Sequence, residues 1–178
     1  MSDWKILNEY VRIGSKWVTL IGENWLCDKG IQHEYWRVEK VDSVIVLPIH
    51  RGRMLCAQST FRVGIHRSTI DFPGGRLPEG KLPKDVVPAI LERELNVPVD
   101  TIGNIAQLNK EKWIINSSFS NQGLWGFMVE IDESYNIPET SVGISVMADD
   151  SGISELLQRL ECLQCRMVLL EWQHQHMQ

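Results

Sequence analysis

The sequence predicts an α/β (α+β) fold: one main unit of mixed strands and helices behind an N-terminal region of short strands. Three observations carry this. Val41 to Ile49 is β-branched and nearly continuous in apolar residues, the signature of a strand buried on both faces. Asp71-Phe72-Pro73-Gly74-Gly75 ends a strand in a sharp loop, after which Val86, Val87, Ile90 and Leu91 recur at helical spacing. Towards the other end Ile153, Leu156, Leu157, Leu160, Leu163, Met167 and Leu170 share one helical face, which predicts a closing helix from Ser154 to about Gln173.

The elements follow in order. Tyr10 to Ile13, Trp17 to Ile21 and Tyr35 to Val38 read as strands, separated by turn signals at Gly14-Ser15 and Asp28-Lys29-Gly30. Residues 1–40 are therefore set apart as an N-terminal strand region and 41–178 as the main domain. His50-Arg51-Gly52-Arg53 is a hairpin turn with Met54 to Ser59 returning from it, and Phe61 to Ile70 is a polar connection. A helix over Ala89–Leu95 follows the loop. Pro88 places the start of that helix nearby or kinks it. Val99 to Leu108, Lys110 to Ile115 and Leu124 to Ile131 supply further strands around the polar bridge 116–123, and Tyr135 to Gly152 reads as loop.

Composition narrows the function. The 178 residues suffice for one domain with a real core, 43% are apolar, and seven tryptophans point to a filled interior. A formal charge of −5 argues against a nucleic-acid backbone as partner, which needs clustered Lys and Arg. No apolar run approaches the roughly 20 residues of a membrane span. Met1-Ser2-Asp3-Trp4-Lys5 has no basic and apolar leader, so the expected location is cytoplasmic. Cys27, Cys56, Cys162 and Cys165 need no disulfide framework at this length. Cys162-Leu163-Gln164-Cys165 has the spacing of a zinc half-site or a redox pair, but a zinc site needs a second pair. Set on an apolar helical stretch, the two are read as plain core or surface thiols.

The loop and helix from Gly75 to Val97 resemble the Nudix box: Gly, five residues, Glu, seven residues, then Arg-Glu-aliphatic-any-Glu-Glu-any-Gly-aliphatic. Without gaps, Gly75, Leu91, Glu94 and Val97 keep fitting residues, and Asn96 replaces a glycine whose αL conformation it tolerates. The chemical positions differ. Lys81 stands for the first Glu, Ala89-Ile90 for the Arg-Glu pair and Arg93 for the first of the paired glutamates. The wider order, with Gln58 to Arg62 and then Asp-Phe-Pro-Gly-Gly, is similar to the ADP-ribose pyrophosphatase branch over roughly residues 4–172. The resemblance implies a Nudix-like α/β/α sandwich with a mixed sheet, an N-terminal strand appendage and a homodimer joined through it. It also implies a nucleotide or nucleotide-sugar ligand and Mg or Mn as cofactor if the protein is active.

Nudix chemistry cleaves a diphosphate with metal ions held by hard oxygen ligands on one helical face. Transferred residue by residue, the resemblance leaves Glu94 as the retained box carboxylate and the Gly74 carbonyl as a ligand, with Glu79 a weaker substitute. It makes Gly74, Gly75 and Arg76 ligand-binding residues, together with Arg62, whose guanidinium suits a phosphate and whose other reading is a salt bridge to Asp71 or Glu79. Trp36, Trp113 and Trp125 are read as core or interface aromatics. Three functions stay open: an impaired Nudix fold acting as a nucleotide-ligand or interaction module, an active ADP-ribose or nucleoside-diphosphate-sugar hydrolase with a relocated metal site, and a dimeric structural subunit whose cleft Ile90 fills.

Overall fold

The computed structural model describes residues 4–176; Met1–Asp3 and Met177–Gln178 lie outside the described residues. The chain divides into two compact units, one of Met1–Asp42 with Ile114–Gly123 and one of Ser43–Trp113 with Leu124–Gln178.

The first unit is an antiparallel meander of β1 (Lys5–Gly14), β2 (Thr19–Leu26) and β3 (Gln32–Glu39), with β2 central. These strands run further than the apolar pattern predicts because Asn8, Glu9, Glu23, Asn24, His33 and Glu34 lie within them. Gly30 turns β2 into β3 at φ 73°, a conformation that favours glycine. β1 is exposed along almost its whole length, Ile6, Leu7, Tyr10 and Ile13 included. The segment 114–123 joins this unit through the backbone, where Val38 N–H donates to Phe119 O at 2.8 Å. Lys40 N–H likewise donates to Asn121 Oδ1 at 2.9 Å.

In the second unit, β4 (Ser43–His50) turns through Arg51 and Gly52, both at positive φ, into β5 (Arg53–Ala57). That is the two-residue hairpin whose twist matches its strands. β6 (Thr60–Arg62) and β7 (Arg67–Thr69) form a small hairpin where the sequence suggested only a polar connection; at three residues each, they are too short for an apolar period to show. β8 (Gly74–Arg76) pairs with the start of β4, and α1 spans Val87–Leu95. Pro88 lies in its first turn, where its missing N–H costs nothing, and Asn96 caps its end at φ 53° and ψ 39°. β9 (Ile102–Gln107), β10 (Trp113–Ile114), β11 (Gly123–Ile131) and β12 (Val142–Met147) complete the main sheet.

That seven-stranded sheet runs β10-β11-β4-β5-β12, with β8 also on β4 and β9 on β11. β11 and β4 are parallel, while β9, β5, β8 and β12 pair antiparallel, so the sheet is mixed. Val44 and Val46 of β4 join Leu55, Phe127 and Val129 in a core with Val87, Ile90, Leu91 and Leu95 of α1. Each such aliphatic, fully buried, contributes about 1.5–3 kcal/mol. Trp125 packs against the same core. Ile45 and Leu47, also buried, alternate to the opposite face of β4. There Gly126, level with Ile45, leaves room for neighbours, since a Cβ on it would lie 3.1 Å from Val168 and 3.0 Å from Trp113. Helices thus cover both faces of the sheet.

Two expectations are corrected. Tyr135 to Gly152 is not all loop, because Val142, Ile144 and Val146 alternate as β12 on β5; only glycine fits at 143, since a Cβ there would lie 2.4 Å from Ala57 O. The C-terminal helix is two helices, α2 (Asp150–Arg159) and α3 (Leu163–His176). Asp149 caps α2 by accepting from Gly152 N–H at 2.9 Å. Leu160 then turns extended, and Arg166 from α3 donates to the carbonyls of Leu157 and Leu160, satisfying the end of α2. Among the described residues no helix is long and apolar enough to cross a membrane.

Candidate functional site

The loop-helix site is set by β8 and α1. Backbone pairing to β4 holds Gly74 opposite Ile45 and Gly75 opposite Val44. Val87, Ile90, Leu91 and Leu95 press α1 onto the same core, so the side chains of 90, 93 and 94 face or flank the loop at spacings fixed by the helix. Ile90 is 2% exposed, and a Cβ on Gly75 would lie only 3.1 Å from its Cγ1. Glycine at 75 is therefore what lets the helix close onto the loop.

Arg93 occupies the space between the two oxygens that the resemblance gives to a metal. Its Nη2 donates to the Gly74 carbonyl at 2.7 Å, and its Nε donates to Glu94 Oε1 at 2.9 Å. One guanidinium thus satisfies both. The third ligand slot is Ile90, an apolar side chain inside the core. Among the described residues the one group of three His, Cys, Asp or Glu side chains close enough to share an ion is Asp71, Cys162 and Cys165, which includes neither Glu94 nor Glu79. The donor set at the loop-helix does not fit Mg or Mn.

The remaining expected residues are dispersed. Glu79 is exposed in the turn before Lys81, whose N–H donates to Pro78 O at 3.2 Å. Arg76 pairs in register with Ser43 and is exposed. Arg62 is joined to Asp71 in an ion pair, the salt bridge named beside its ligand-binding reading, and donates from Nε to Thr69 Oγ1 at 3.3 Å. Trp36 meets Tyr10 edge-on at 5.7 Å on the N-terminal sheet.

The sequence reading missed two features. A cavity of about 450 Å³ lies wholly within the first unit, lined by Trp4, Trp25, Tyr35, Arg37 and residues 117–121. Its cation is committed to protein, since Arg37 binds both oxygens of Glu23, at 2.9 and 2.8 Å, and Glu39 at 2.8 Å. The lining aromatics, Trp4, Trp25, Tyr35 and Phe119, come from four separate stretches, so no local motif marks them. The other is the placement of the cysteine pair already noted in the sequence: Cys162 stands at the break between α2 and α3, and Cys165 lies in the first turn of α3.

In comparison with solved structures, the chain matches a crystal structure of an ADP compounds hydrolase with a TM-score of 0.75 and 14% sequence identity, over 97% of this chain and 93% of that one. The chain therefore has a Nudix-like α+β fold with a mixed sheet. No protein-family model matches it. No curated protein matches it in sequence.

Proposed function

We propose that this chain is a Nudix-fold protein with a degenerate box, in which metal-dependent hydrolysis is lost and a nucleotide-type ligand is bound without metal. The carrying observation is the Arg93 guanidinium bonded to both the Gly74 carbonyl and Glu94. A fixed positive charge stands where the resemblance expects a divalent ion, and a guanidinium polarises a phosphate but cannot deliver a bound hydroxide. The side chain of Arg93 is 56% exposed and so keeps donors for a diphosphate. Lys81 and Arg76, both exposed on the connected loop, add to the positive field. Ile90 fills the floor of the site but leaves this cation open to solvent, which favours a binding module over a plugged structural subunit.

A homodimer through the N-terminal strands belongs to the same reading, supported by the exposed Ile6, Tyr10 and Ile13; a monomer by light scattering would remove it. The function is tested by ADP-ribose turnover with millimolar Mg²⁺ or Mn²⁺ beside a Glu94→Gln control. The expected result is no turnover above blank in either protein. Turnover that the substitution abolishes would establish an active enzyme with a rebuilt metal site.

A further inference from the structure

We propose that Cys162 and Cys165 form a redox-active dithiol that closes to an intramolecular disulfide by exchange with a low-molecular-weight disulfide, with Asp71 accepting the proton of Cys165. Cys162 sits at the N-cap of α3, where its carbonyl already accepts Arg166 N–H at 3.0 Å. Cys165 follows in the first turn and is 1% exposed, while Cys162 is half-buried and reachable. The two sulfurs and an Asp71 carboxylate oxygen all lie within 4.8 Å of one another, with Cys165 Sγ 3.8 Å from Asp71 Oδ1. Two thiols three residues apart at a helix start, one open and one buried beside a carboxylate, are the general geometry of a dithiol redox centre.

The electrostatics agree with the division of roles. A hydrogen bond from the Cys165 thiol, aided by the backbone N–H groups of Cys165 and Gln164 and opposed by burial, brings the Cys162 thiol down to about 6. The same thiol pairing, with burial, pushes Cys165 well above the ordinary range. Cys162 is thus the attacking thiolate and Cys165 the resolving thiol. Cys56, fully buried near Asp71, is pushed up to about 12 by burial and stays protonated.

The exchange balances in two steps. The Cys162 thiolate attacks one sulfur of the small disulfide, forming a mixed disulfide and releasing one small thiolate, which takes a proton from water. Cys165 then passes its proton to Asp71 and attacks Cys162 Sγ, which closes the protein disulfide and expels the second small thiolate. That thiolate is protonated by Asp71 or water. Two protein thiols are oxidised and one small disulfide is reduced to two thiols. A metal site is the weaker use of the cluster. Closed zinc sites take four ligands, and among the described residues only three are grouped here.

The test uses the full-length reduced protein in mixtures of glutathione and glutathione disulfide, quenched in acid, alkylated and digested with trypsin. Cleavage after Arg159 and Arg166 leaves both cysteines in one peptide. The expected result is loss of both alkylation sites from that peptide, with Cys27 and Cys56 still alkylated. Cys165→Ser should hold a stable glutathione adduct on Cys162, and Asp71→Asn should make that adduct accumulate before closure. Because Asp71 also anchors Arg62, the Cys165→Ser result stands independently of that variant's folding. A glutathione adduct on wild-type Cys162 with Cys165 still alkylated would overturn the proposal. So would earlier reaction at Cys27 or Cys56, or zinc retained through desalting that blocks the exchange.

Discussion

At Glu23 a carboxylate is 2% exposed in a sheet whose neighbouring strand is open to water. It is tolerated because Arg37 meets both its oxygens and Trp25 Nε1–H donates at 2.9 Å, which together outweigh burial and hold the group below the usual carboxylate range. A lowered folded-state value means the stabilisation is complete above the unfolded value, about 4.3, and is lost as pH falls through the folded value. Glu23→Gln should therefore cost about 1–3 kcal/mol near neutral pH, with a difference from wild type that shrinks in acid. Thermal unfolding at pH 7 and pH 3 measures it. A constant difference across that range would show that the charge is not what matters. Arg93 is the contrasting case: its pairing with Glu94 is solvent-screened, so its weight lies in what it occupies and not in stability.

The break between α2 and α3 rests on one side chain. Arg166 bonds the carbonyls of Leu157 and Leu160, so two acceptors at the end of α2 are satisfied, and α3 restarts at Leu163 with its first bond closing on Cys162 O. Arg166→Met keeps the aliphatic stem and removes both charge-assisted bonds, and should destabilise by about 1.5–3 kcal/mol. Denaturant titration checks this, and an unchanged midpoint would show that the break is held by packing alone. The sequence reading ran the two helices together because Leu156, Leu160, Leu163 and Leu170 keep helical spacing across the junction, while no Gly or Pro marks it. A cap supplied by an arginine from the next helix has no local signature. β12 was missed for the opposite reason: turn residues at Pro138 and Asp149–Gly152 outweighed a short alternation of Val142, Ile144 and Val146. The strong elements were legible. β4, β11, the 51–52 hairpin and α1 each carry a long apolar run, a positive-φ turn or a clear period, and Pro88 at the start of α1 was one of two placements the sequence allowed.

For the whole molecule, the fold was legible from the order of its parts, and its likeness to an ADP compounds hydrolase extends over nearly the entire chain. The substitutions at 81, 90 and 93 were equally plain in the sequence. What it did not reveal is where Arg93 points, since its bond to Gly74 joins residues 19 apart and depends on the pairing of β8 with β4. The account therefore turns on whether that guanidinium has displaced the metal. Titration of Mn²⁺ into the full chain, followed by the electron paramagnetic resonance of the free ion, reads this without assuming a substrate. The account predicts that Mn²⁺ stays free into the millimolar range, in wild type and Glu94→Gln alike. Tight Mn²⁺ uptake by the wild-type protein that Glu94→Gln abolishes would contradict it.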